Sequence, residues 1–251
     1  MKRLATFLVT ISVALPMVAS AALTDNLMGY WDLDTDSTDS TAGAHDGTDT
    51  SVSYSSTGAV ISGAVQCGGN PARVIIADHA DFNGTTAITM NGWVTFSNTT
   101  GQQIMFAKAD SALNAYMYMA KSATHHLSAS VDTDVHNTVG TATLTDSVLY
   151  MWTVTYDGTT LKLYLNGASD ATDITYSAAL TPGTGGLGIC RLGDYSTQYL
   201  IGAVDEVGFW SRALTDAEIT SLYNAGAGFA YPFSSGPTFV PRVYPIPMFW
   251  L

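Results

Sequence analysis

Basic side chains are scarce: nine Lys and Arg stand against 21 Asp and Glu, a formal net charge of −12. So negative a surface repels phosphate backbones and offers no basic stripe, which argues against nucleic acid as a partner. Glutamate is scarcer still, confined to Glu206 and Glu218. Two-carboxylate glycoside hydrolysis needs a pair of carboxyl groups across the scissile bond. Glu218 is taken up by a helix cap, and Glu206 adjoins Asp205, so on a regular strand those two point to opposite faces. The cysteines are only Cys67 and Cys190, half of the usual zinc set and with no C-x-x-C, which argues against structural zinc. A G-x-S-x-G elbow and an H-E-x-x-H pair are also missing. No lysine or helix follows the run Gly183-Thr184-Gly185-Gly186. Serine-hydrolase, zincin and phosphate-loop chemistry therefore lack support.

One long apolar run is present, Leu4 to Val18, interrupted by Thr6, Thr10, Ser12 and Pro16. Lys2 and Arg3 precede it and Ala19-Ser20-Ala21 follows, so residues 1–21 predict a cleaved secretory signal. An uncleaved anchor is the alternative, and a run of about 18 residues is marginal for a bilayer. Export permits a bridge between Cys67 and Cys190, while a pair of buried thiols remains the other reading.

The rest of the chain is rich in glycine, with 23 residues, and in short Ser, Thr, Asn and Asp clusters, which suits many strands joined by turns. Residues 27–33 (LMGYWDL) and 87–97 (AITMNGWVTFS) are strand candidates. The clearest segment is residues 148–167. Val148, Tyr150, Trp152, Val154 and Tyr156 alternate with Leu149, Met151, Thr153 and Thr155. Asp157-Gly158 turns the chain, Leu161, Leu163 and Leu165 return, and Asn166-Gly167 turns it again, so the segment reads as a hairpin. One helix is predicted over about 216–225. Thr215 and Glu218 form its capping box, Leu214 and Ile219 its staple, and Gly226 its terminator, with Ile219 and Leu222 buried.

These stretches resemble the concanavalin A-like lectin/glucanase superfamily, in its laminin-G-like group. The resemblance rests on MWTVTYDGTTLKLYLNG (151–167), IGAVDEVGFWSRALTDAEITSLYNAG (201–226), NGWVTFS followed by QQIMFAKAD and, more loosely, residues 29–48; it spans about 27–228. It implies an all-β fold, a two-sheet antiparallel jelly-roll sandwich with one short C-terminal helix. It also implies ligands held on a concave face or at the loop rim, in a group that includes carbohydrate binders, adhesion modules and some calcium-binding members. The expected organisation is a signal over 1–21, a jelly-roll domain over 22–230, and a tail over 231–251. That tail carries five of the eight prolines with aromatics between them. The family pattern does not explain it; it packs on its own domain or docks on a partner.

Asp32, Asp34, Asp36 and Asp39, with Asp46 and Asp49 after them, form the densest carboxylate group. Hard oxygen donors suit calcium, so calcium is the expected cofactor, on Asp34, Asp36, Asp39 and Asp205. The alternative is a solvated loop of turn-forming aspartates. Asp132, Asp134 and His136 share a strand face, which reads chiefly as the wet side of an outer strand, and His45 reads as an ordinary loop residue. For a sugar-binding surface the choice is Asn114, Tyr116, Tyr118, Asp194, Tyr195, Gln198 and Tyr199, flat aromatic rings beside hydroxyl-bonding groups. Met117 and Met119 face the other way. Trp93, Trp152 and Trp210 read as core, and Trp31 as ambiguous.

The leading expectation is a secreted, non-catalytic module that binds glycan or a glycosylated surface. The alternative is a structural protein of a surface layer, fibre or virion that self-assembles or docks through residues 231–251. A glycoside hydrolase ranks last.

Overall fold

The computed structural model describes residues 23–83, 86–97, 100–109, 115–131, 136–176, 180, 185–191 and 198–233. The predicted signal, most of the tail, Asn114, Asp132, Asp134, Asp194 and Tyr195 lie outside that set, as do the side chains of Tyr116 and His136.

Among the described residues sixteen strands form two antiparallel sheets that do not close into a barrel. The first sheet is centred on β6 (Ile88–Phe96), flanked by β11 (Leu149–Tyr156) and β16 (Ile201–Trp210). The second runs in the order β10 (His136–Val139), β9 (Leu127–Val131), β8 (Ala115–Lys121), β7 (Gln103–Ala109), β15 (Leu187–Ile189), β5 (Arg73–Ile76) and β2 (Gly47–Thr50). Alternation places the core. Trp152, Val154, Tyr156, Leu161, Leu163, Met117, Met119 and Phe106 are buried together between the sheets. Trp31 joins them, its indole N–H donating to the His45 carbonyl at 2.9 Å.

The hairpin of β11 and β12 (Thr160–Leu165) forms in the register that the alternation requires, Trp152 opposite Leu165 and Tyr156 opposite Leu161. At the next turn, from β12 into β13 (Ala168–Ser169), both Asn166 and Gly167 have positive φ, 51° and 80°, as a tight two-residue hairpin turn demands. The cysteines are bridged: Cys67 at the end of β4 (Ala64–Gly68) joins Cys190, just past β15, and ties one sheet to the other.

A second apolar layer covers the outer side of the nine-stranded sheet. Its main contributors are Trp93, Met151, Trp210, Tyr30, and Ile219 and Leu222 of helix α1 (Asp216–Tyr223). Burying each aliphatic side chain contributes roughly 1.5–3 kcal/mol. The predicted capping box is present, with Glu218 N–H donating to Thr215 Oγ1 and Thr215 N–H donating to Glu218. Burial pushes the Glu218 carboxyl up, but the bidentate Arg212 guanidinium (2.6 and 2.9 Å) and the Thr215 groups hold it below its usual range. The helix stops earlier than the sequence predicts. Asn224 takes the left-handed conformation (φ 47°, ψ 50°), so it and not Gly226 is the terminating residue; asparagine tolerates that region because its short amide bonds locally. Phe233 is fully buried in this outer layer, so the beginning of the predicted tail packs on its own domain.

Candidate functional site

Strand β16 changes neighbours halfway along, and that change builds a polar chamber. Its first half pairs with β4 (Ile201 to Val204), its second with β1 (Leu27–Trp31), and a bulge separates Asp205 from Gly208. Glu206 sits in the bulge with φ 52°. Val204 and Val207 both face the core, so the two residues between them depart from strict alternation. The expectation that Asp205 and Glu206 face apart is therefore corrected: both carboxyls are buried, at 0% and 3% exposure, and the Asp205 charge acts on Glu206.

Asp205 Oδ2 accepts the backbone N–H groups of Val60 (2.7 Å) and Ile61 (3.2 Å), while Oδ1 is buried without a hydrogen-bond partner. Burial pushes the Asp205 carboxyl up to about 7; the two N–H groups offset part of that, and the Asp34 charge adds to it. Burial pushes Glu206 to about 8 against a bond from the Tyr30 hydroxyl, with Asp205, Asp32 and Asp34 adding repulsion. Asp34 is held in place by Gly63 N–H at 2.8 Å. Residue 63 has to be glycine, since a Cβ there would lie 2.2 Å from the Asp34 carbonyl oxygen.

The other loop aspartates do different work. Asp39 accepts four bonds, from the N–H groups of Tyr30, Thr41 and His45 and from the Thr41 hydroxyl, which pins the loop from inside. Asp36 is exposed, and the Thr38 N–H (2.9 Å) and hydroxyl hold its carboxyl below the usual range.

A second cluster was not foreseen. His45, His79 and Asp81 bring one ligand atom each to within 4.8 Å of one another, and such a set can hold a divalent cation. His45, read from the sequence as an ordinary loop residue, is buried. Sequence gave little signal, because His79 and Asp81 lie 34 and 36 residues further on.

Of the predicted sugar-binding residues, Tyr118, Gln198 and Tyr199 are described with their side chains, and Tyr118 lies on β8 of the second sheet. Tyr118 turns away from Met117 and Met119 and packs with Ile104, Ala107 and Ala120 on the opposite face, at 7% exposure. The Gln198 carbonyl accepts the Ile104 N–H at 2.9 Å, and the Gln198 amide donates to Gln102 at 2.9 Å. Tyr199 lies under the Arg191 guanidinium, 5.9 Å from its ring centre. Tyr118 and the Gln198 backbone thus both meet Ile104, and Tyr199 follows Gln198 in the chain. Elsewhere a cavity of about 450 Å³ opens at the start of α1, lined by Asp157, Lys162, Tyr164, Leu214 and Asp216 among others.

No curated protein matches the sequence. Solved structures do match in fold. One is domain 4 of a GH43 extracellular arabinanase from Geobacillus stearothermophilus in complex with arabinotriose (16% identity, TM-score 0.61, covering 78% of this chain and 97% of that one). Another is the binding domain of Paraclostridial Mosquitocidal Protein 1 (14%, 0.63, 81% and 53%). A third is the ligand-binding domain of botulinum neurotoxin serotype D in complex with N-acetylneuraminic acid (11%, 0.63, 83% and 53%). The chain spans about half the length of the two toxin structures. At these identities the likeness establishes the fold. The family model of the laminin-G group matches residues 68–220, more than half of the sequence, and the chain belongs to the concanavalin A-like lectin/glucanases superfamily.

Proposed function

We propose that this chain is an exported glycan-binding module, without catalytic chemistry of its own. The observation that carries this reading is its likeness to domains solved with arabinotriose and with N-acetylneuraminic acid. The second sheet bears on it: Gln198 and Tyr199 supply a half-buried polar rim, whereas the Tyr118 ring, at 7% exposure, is itself covered. Asn114, Tyr116, Asp194 and Tyr195 are proposed to complete that rim. Hydrolysis has no comparable support among the described residues, since the adjacent pair Asp205 and Glu206 is closed off from solvent and a sugar has no access to it.

Calcium is proposed for the chamber at β16. A buried carboxylate oxygen with no donor, beside a second carboxyl raised to about 8, is a donor set that a hard cation would satisfy. Asp205 and Glu206 would hold the ion; Asp34 would have to close in on it, since the three carboxyls do not lie within 4.8 Å of one another, and that closure would fix the loop over residues 34–48. Asp39 would brace that loop from within, and Asp36 would stay at its surface. The Cys67–Cys190 bridge and the apolar leader support an oxidising, extracytoplasmic location.

A glycan array, run with the mature chain in calcium and in chelator, tests both parts. Binding to one sugar class, weakened by Tyr199→Ala, is the expected result. Binding to no sugar, together with a discrete assembly in solution, would replace this reading with the self-assembling one that the Pro- and aromatic-rich residues 234–251 suggest.

A further inference from the structure

The cluster of His45, His79 and Asp81 has donor chemistry unlike that of the chamber. Two imidazoles and one carboxylate suit a borderline divalent transition metal far better than calcium, which takes oxygen ligands. His45 Nε2 lies 3.2 Å from Asp81 Oδ2, and His79 Nδ1 lies 3.2 Å from the same oxygen. Tetrahedral zinc, with bonds of about 2.0–2.2 Å to nitrogen and oxygen, places neighbouring ligand atoms ~3.3 Å apart. The spacing therefore fits an ion already.

Two further observations point to a ligand. His45 Nε2 is buried and makes no hydrogen bond, although the Asp81 oxygen is near. A buried ring nitrogen left unsatisfied costs about 1–3 kcal/mol, which a metal bond would recover. Its surroundings also keep it in place. The His45 N–H donates to Asp39 and its carbonyl accepts from Trp31, while its ring packs on Phe82 at 4.6 Å. On the Nε2 edge sits Gly43, where a Cβ would come within 2.9 Å of the nitrogen, so any side chain there would crowd the ring.

His79 and Asp81 arrive on one rigid turn. His79 caps the short 3-10 turn Ala80–Phe82, Asp81 lies within it, and the fully buried Phe82 anchors it. Both ligand side chains are about half exposed, so the fourth position would face solvent or an external donor. Binding exchanges one weak contact: the Asp81 N–H now donates to His79 Nδ1 at 3.2 Å, and the ion would take that lone pair.

We propose that His45 Nε2, His79 Nδ1 and Asp81 Oδ2 form a binding site for a zinc-class divalent ion. The ion rivets the acidic loop to the turn after β5 and presents one open coordination position. This site uses none of the side chains proposed to hold calcium or sugar.

The test uses the mature, untagged chain, stripped of metal and titrated with zinc and, separately, with cobalt(II). One equivalent is expected to bind, with the visible absorption of low-coordinate cobalt and a rise of the unfolding midpoint that calcium does not reproduce. His45→Ala removes a buried ring and can unfold the loop, so the deciding variants are His79→Ala and Asp81→Asn at the surface. Each should fold normally and bind zinc at least ~10-fold more weakly. Absence of stoichiometric zinc binding by the folded parent would overturn the proposal. So would unchanged affinity in both variants, which would assign the metal to the remaining histidines.

Discussion

The Tyr30 hydroxyl donates to the Glu206 carboxyl, joining two buried residues 176 apart in sequence. Burial, followed by the Glu206 charge, raises the Tyr30 phenol well above its ordinary range, so it stays a donor at every physiological pH. Tyr30→Phe keeps the ring, with its edge-on packing against Phe233 at 5.4 Å, and removes only that donor. A buried carboxyl losing a bond of this kind should cost about 1–3 kcal/mol. Urea unfolding of the variant at neutral pH measures it. A loss below ~0.5 kcal/mol would mean the bond contributes nothing net.

The chamber makes a prediction about pH whose sign is opposite to that of an ordinary ion-paired carboxylate. Asp205 and Glu206 keep their protons in the folded chain up to about 7 and about 8, whereas an unfolded chain gives them up near 4. Between those limits the folded state binds more protons, so metal-free stability is fully present at low pH and declines as pH rises through that window. The decline should be on the order of a few kcal/mol between pH 5 and pH 8.5, read from urea midpoints in chelator. Calcium should restore most of it at pH 8.5 and little at pH 5, since the ion competes with the protons. Asp205→Asn should flatten both responses. A midpoint in chelator that rises with pH would sink this account.

The parts legible in the sequence were those with a local period or a local signature. The β11–β12 hairpin followed from alternation, and the start of the helix from Thr215 and Glu218, because each signal is complete within a few residues. The bulge at Glu206 was illegible for the opposite reason. It arises where β16 exchanges β4 for β1, and nothing in the letters VDEVG marks a change of neighbour. The cluster of His45, His79 and Asp81 was hidden in the same way. His45 lies in a polar loop, and His79 and Asp81 fall in a short turn that only the Phe82 anchor carries beside it. Asn224 ended the helix ahead of a glycine two residues later, a competition that the backbone settles.

The Cys67–Cys190 bridge closes a span of 123 residues between the two sheets. Chain-entropy arguments put a loop of that size near 5 kcal/mol, and measured bridges typically give about 2–4 kcal/mol. Replacing both cysteines by serine should lower unfolding stability within that range while leaving the β-sheet spectrum intact. The parent in reductant should match the double variant. Equal stability with and without the bridge would show that the sheets hold together without it.

Phe233 decides how far the domain extends. Its ring is fully buried, edge-on to Tyr30 and Tyr231, stacked at 6.4 Å on Trp210 and tilted against Phe229. All of these belong to the outer layer that also receives Ile219 and Leu222, a layer distinct from the interior between the sheets. Phe233→Ala should therefore cost about 3–5 kcal/mol, the range for removing a buried aromatic. Deleting residues 231–251 should cost at least as much, because Tyr231 leaves as well. Both variants should still show the β-sheet signature in circular dichroism, since the interior keeps every one of its own side chains. Thermal and urea unfolding of the two variants beside the parent measure the loss. A Phe233→Ala midpoint equal to the parent's would return the whole of residues 231–251 to a separate tail.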